Sequence, residues 1–124
     1  IKWLSELRFA KDEELFFDDL IKSYTLQLID SKHFSESKNI VQKLSALRKE
    51  TNTLINTTIN HENGLKIMVD GKNEINKENA YKDEHAKLII TMSTFLKKYR
   101  ALKSQLFTLI KSIIKEGKQK RLLQ

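Results

Sequence analysis

The stretch HAKLIITMSTFLKKYRALKSQLFTLIKSIIK, residues 85–115, decides the fold. Within it His85, Leu88, Met92, Phe95, Tyr99, Leu102, Leu106, Leu109 and Ile113 recur three and four apart. That alternation places them on one face of a helix and holds it there over four heptads. Ile89, Leu96 and Ile110 widen the stripe along one flank, so the face is expected to meet two neighbouring helices rather than one. This third helix is predicted over about residues 79–117, fraying into Lys118–Gln124.

Upstream the pattern repeats. Ile40, Leu44, Leu47, Thr51, Leu54, Thr58, His61, Leu65 and Met68 mark a second helix over about residues 36–70. Ser35 is its expected N-cap, Glu36 sits at the positive end of its dipole, and Gly71 is its expected C′ residue. The Thr- and Asn-rich run from Asn56 to Gly64 predicts a kink or a local loosening. Phe9, Phe16, Phe17, Leu20, Ile21, Tyr24 and Leu28 give a first helix a broad apolar face. It is expected over about residues 2–31, broken at Ala10–Glu13 with Asp12 capping the second piece. Trp3, with Leu4 and Leu7, is expected to close one end. The link Ser31–Ser35 is short and favours antiparallel neighbours, and the link Gly71–Asn79 is polar, with Ile75 its one large apolar residue.

The expected fold is all-α: an elongated antiparallel three-helix bundle, up-down-up, kinked in its first helix. Its third helix overhangs the others at the C-terminal end. Residues 1–124 suit a single domain. The composition agrees. There is no proline, and glycine occurs only at positions 64, 71 and 117, which argues against a β protein with many turns. With no cysteine, the chain supports no disulfide framework, thiolate metal site or thiol nucleophile. The longest run without Asp, Glu, Lys or Arg, Thr51–His61, is well short of the roughly 20 apolar residues that span a bilayer. Because it begins on Ile1, the chain reads as a fragment or a mature form, with any targeting segment expected outside it.

Charge is distributed unevenly. Residues 1–35 carry −2, residues 36–79 carry +1 and residues 80–124 carry +8. No acid occurs between His85 and Lys115. Lys97, Arg100, Lys111 and Lys115 project opposite the apolar stripe, with Ser93, Ala101, Ser104 and Thr108 between them. Such a face suits a polyanion, plain solvation or a docked protein. Arginine is scarce, and no aromatic side chain stands among the exposed bases to stack on nucleotides, which disfavours nucleic acid. Small residues let another helix approach, and Ile90, Phe107 and Ile114 at the stripe's edge favour docking. Lys97, Arg100, Ala101, Ser104, Thr108, Lys111 and Lys115 are therefore the expected partner-binding residues. The acids of the first helix, Asp12, Glu13, Glu14, Asp18 and Asp19, are expected to balance the bases or to support self-association as a homodimer.

No catalytic constellation is legible: there is no His-Glu-x-x-His, no phosphate-binding glycine loop and no EF-hand spacing. His61 and His85 fall on apolar seams within one or two turns of each other across the second link. They suit either a two-histidine pH or metal site or two edge residues with one hydrogen bond each. Glu62 and Glu84 are expected to point to other faces, leaving a metal without a third ligand. Thr51 and Thr58 suit bonds back to their own helix, or a polar layer that sets register.

No cofactor and no enzymatic activity are expected. The expected function is protein binding by the basic outer face and overhang of the third helix. Three alternatives stand beside it: the ectodomain of a bacterial surface lipoprotein that binds a host macromolecule, a coiled-coil subunit of an intracellular assembly, and an anion or nucleic-acid binder. The lysine-rich composition without cysteine or proline resembles the helical ectodomains of spirochaete surface lipoproteins. That likeness is one of composition and implies no site residue.

Overall fold

A computed structural model describes residues 2–30, 32–70 and 75–123. It contains α1 (Lys2–Ser23), α2 (Thr25–Leu28), α3 (Phe34–Asp70) and α4 (Ile75–Leu123), and no strand among the described residues. The all-α bundle is as expected. At 1.5 Å per residue, α3 and α4 are roughly 55 and 75 Å long.

Contacts between the helices give their directions. Glu14 of α1 meets Thr51 of α3, while Asp18 further along α1 meets Arg48 earlier in α3, so the two run antiparallel. Along α3, the pairs Lys43–Gln105, Glu50–Lys98 and His61–Glu84 step backward through α4. Trp3–His85, Glu13–Lys103 and Phe17–Phe107 step forward together, so α1 and α4 run the same way. One apolar cluster joins Leu7, Ala10 and Phe17 of α1, Leu28 of α2, Ile40 to Leu54 of α3 and Met92 to Ile113 of α4.

The seam of α4 from Leu88 to Ile113 is buried as expected, with Phe95 fully enclosed. Ile110 is buried and Leu96 half-buried on the widened flank, but Ile89 is half exposed and His85 is exposed. On α3 the seam is buried from Ile40 to His61, and Leu65 is exposed. α1 begins level with His85, through Trp3, so its side chains do not reach the α3–α4 segment beyond. Trp3 packs against the core and stacks on His85, near the end that it was expected to close.

Several helix boundaries differ from the sequence expectation. α1 is unbroken through Ala10–Glu13. Ala10 is 2% exposed, and packing there outweighs the capping tendency of Asp12. The break comes at Tyr24, with φ −112° and ψ 20°. Its N–H reaches Ile21 O at 3.2 Å, while the hydroxyls of Ser23 and Thr25 bond to Asp19 O and Lys22 O. Side chains that compete for backbone carbonyls in this way loosen a helix. Ser35 lies inside α3 and does not cap it. The carbonyl of His33 accepts the first bond from Ser37, after a turn in which Asp30 Oδ1 accepts Lys32 N–H at 3.0 Å.

α3 is helical through Asn56–Gly64, where a kink or a local loosening was expected. A Cβ at Gly64 would meet the Tyr81 ring at 3.8 Å, an ordinary contact, so this glycine forces no bend. α4 starts at Ile75, four residues before Asn79, and runs through Gly117 to Leu123. A glycine stops a helix by turning left-handed, and among the described residues none does. The Gly71 assignment, the side chain of Met68 and most of the second link lie outside the described residues. The expected overhang is present: Glu116 sits beside the Lys32–His33 turn, and α4 continues seven residues beyond it, about 10 Å.

Of the two seam threonines, Thr51 bonds back to Leu47 O at 2.8 Å. Thr58 does not: its hydroxyl is enclosed and has no hydrogen-bond partner. Thr58→Val keeps the shape and removes the unpaired hydroxyl. It is expected to stabilise the fold by about 1 kcal/mol in urea denaturation; equal or lower stability would contradict the burial described.

Candidate functional site

Lys97, Arg100, Ala101, Ser104, Thr108, Lys111 and Lys115 are all exposed on α4. At 100° per residue they share an arc of about 100° opposite the buried seam, over roughly 27 Å. On the flanks of the same helix Lys98 and Lys103 are neutralised from within the bundle, and Lys82, in line with Arg100 near the start of α4, pairs within α4 itself. Lys98 binds Glu50 at 3.2 Å, Lys103 binds Glu13 at 2.7 Å and Lys82 binds Glu78 at 3.3 Å. Lys97, Arg100, Lys111 and Lys115 enter none of the ion pairs of the described residues. The strip is therefore a row of unneutralised cations separated by small side chains.

The acids of α1 divide into distinct roles. Asp18 pairs with Lys22 at 3.0 Å and reaches Arg48 at 4.0 Å. Glu13 crosses to α4 and accepts bonds from the Tyr99 hydroxyl and from Lys103. Burial alone would raise the Glu13 carboxyl, but these two hydrogen bonds and the Lys103 charge outweigh it and hold the group below its ordinary range. Burial, then the same bond to Glu13, pushes the Tyr99 phenol far up, so it stays protonated as the donor.

Glu14 is 1% exposed, beneath α3. Its carboxyl lies 2.7 Å from Thr51 Oγ1, which also lies 2.8 Å from Leu47 O. A hydroxyl has one proton, and Leu47 O can only accept. Both bonds are satisfied when Glu14 is protonated and donates to Thr51. Burial raises the Glu14 pKa in the same sense, outweighing the Thr51 bond and the charges of Arg48 and Lys11. Sequence reading missed this interior acid, although Leu7, Ala10, Glu14 and Phe17 at three- and four-residue spacing place it on the core face.

The structure brings His61 and His85 together, with Nε2 and Nδ1 3.0 Å apart. Glu84, expected to point elsewhere, lies 2.9 Å from His61 Nδ1. Neighbours on a helix are 100° apart, and Glu84 faces α3 while His85 turns toward α1. An ionised carboxylate only accepts, so His61 Nδ1–H donates to it, and in the neutral ring His61 Nε2 then accepts from His85 Nδ1–H. Tyr81 stacks on His61 with centroids 4.1 Å apart, and burial followed by the Glu84 and Glu62 charges raises its phenol. Among the described residues no three His, Asp or Glu side chains converge on one metal position. Glu84 and His85 take opposite nitrogens of the same ring.

A cleft of about 490 Å³ opens where the link to α3 meets the end of α4, lined in part by Tyr24, His33, Ile113 and Glu116. His33 and Lys32 both bind Glu116, at 3.0 and 3.1 Å, and these bonds lower its carboxyl. No helix of the described residues is long and apolar enough to cross a membrane. Comparison of the chain with protein-family models, with curated proteins and with solved structures finds no match in any of the three.

Proposed function

We propose that this chain is a non-enzymatic protein-binding bundle that docks an acidic protein segment along the outer strip of α4. One observation carries the reading: four cations exposed along one helix face have no counterion among the described residues, while Lys98 and Lys103 on its flanks do. Ala101, Ser104 and Thr108 between them leave room for a helix to lie close. The continuation of α4 past Glu116 lengthens that face.

The test is capture from extract with the wild-type chain and with Lys97→Glu combined with Lys115→Glu. Both positions are exposed, so the fold is expected to survive the change. A specifically captured protein is expected to be lost with the variant. Capture by both alike would contradict the proposal. So would tight retention on heparin or duplex DNA at about 0.15 M salt, which would identify a polyanion as the ligand.

A further inference from the structure

We infer that the face shared by α1 and α4 binds a second copy of this chain, packed parallel about a two-fold axis running along the helices. This inference uses the edge of α4 nearest α1 and shares Arg100 and Lys111 with the docking strip, but it needs no other protein.

Five large apolar side chains stand out on that side of the bundle. Phe9 and Phe16 of α1 are 61% and 55% exposed, and Ile89, Phe107 and Ile114 of α4 are 50%, 38% and 40% exposed. Phe9 and Phe16 are seven residues apart, as are Phe107 and Ile114, so each pair forms a line along its helix. The Phe107 ring meets the buried Phe17 edge-on with centroids 5.7 Å apart, so the exposed patch continues into the core. Two helices exposed side by side over about 35 Å present on the order of 700 Å², near the roughly 800 Å² per partner of a stable interface.

The edges of the patch carry opposite charge. Beyond the phenylalanines of α1 lie Asp12 and Asp19, again seven apart; beyond Phe107 on α4 lie Arg100 and Lys111. Rotation about an axis along the helices sets each α1 opposite the partner's α4 at the same height. Rotation about an axis across the helices would instead set α1 on α1 and α4 on α4, acid against acid and base against base. The heights also match. Within the protomer, contacts between α1 and α4 join residues 86 and 90 apart, through Glu13 with Tyr99 and with Lys103. Asp12 and Arg100 differ by 88, so the parallel arrangement places one protomer's Asp12 level with its partner's Arg100. Asp19 then lies about one helical turn from its partner's Lys111, within reach of a lysine side chain. Each such pair occurs twice in a two-fold dimer.

The experiment is sedimentation equilibrium of the purified chain alone. The wild type is expected to dimerise at micromolar concentration. Asp12→Arg and Arg100→Asp are each expected to raise the dimer dissociation constant at least tenfold. The double variant Asp12→Arg with Arg100→Asp is expected to restore dimerisation, which a folding defect would not allow. Phe16→Ser is expected to give a folded monomer. A wild-type monomer at about 100 μM would overturn the inference, as would a dimer indifferent to the single charge reversals or a double variant that stays monomeric. Because no other protein is present, failure here leaves the proposed docking strip untouched.

Discussion

Phe95→Ala is expected to lower stability by about 3–5 kcal/mol, the range for emptying an enclosed aromatic site. Phe95 is the most completely buried side chain of the core, at 0% exposure, and it stacks on Tyr99 with centroids 6.2 Å apart. It belongs to the seam of α4, which packs against both long neighbours. Truncation removes the ring's transfer energy and leaves a cavity that long helices, held at both ends, close only in part. Domains of this size are stable by about 5–15 kcal/mol, so the loss is a large share of the whole. A fall in melting temperature of roughly 10–20 °C is expected. Leu26→Ala is the contrast: Leu26 is 80% exposed, and its removal is expected to change stability by less than about 0.5 kcal/mol. A Phe95→Ala loss below 1 kcal/mol would contradict the packing described.

The second large effect depends on pH. Glu14→Gln is expected to stabilise the fold by about 1–3 kcal/mol at pH 9, and by little near pH 4. The sign follows from the raised carboxyl. In the unfolded chain Glu14 loses its proton around 4.5; in the fold, burial delays that loss to higher pH. Between the two values the native state holds more protons, so stability falls as pH rises through that window. Above the folded value the full penalty of a buried carboxylate applies. Glutamine removes the titration and keeps the geometry: its amide donates to Thr51, and Thr51 donates to Leu47 O. Glu13 and Glu116 act in the opposite sense. Their lowered carboxyls contribute stability above the unfolded value, which is lost as pH falls through the folded one. The difference between wild type and variant, measured by urea denaturation across pH, isolates Glu14. A difference that stays flat from pH 4 to 9 would contradict a proton held on Glu14.

The long periodic segments were legible because three- and four-residue spacing over several heptads has one regular solution. The α4 seam from Leu88 to Ile113 and the α3 seam from Ile40 to His61 follow it. Helix ends were less legible. Ser35 and Gly117 have the chemistry of caps, but a cap acts only where the backbone leaves the helix, and tertiary packing decides that. Phe9 and Phe16 were read as core and are exposed, because hydrophobicity alone does not say which side of a helix meets its neighbours. Glu14 was passed over for the converse reason: its charge suggested surface, while its spacing put it inside. The strip of α4 was legible as a charged face. What the sequence could not show is that its cations stay unneutralised while Lys98 and Lys103 are paired, since those partners lie about 50 and 90 residues away.

The most direct test of that strip is the affinity of the captured protein for the wild-type chain and for Lys97→Glu with Lys115→Glu, at about 0.15 M salt. Reversing two charges on a complementary face is expected to weaken binding at least about tenfold, with an unchanged melting temperature. Equal affinity for the two chains would contradict the assignment of the α4 strip as the docking surface.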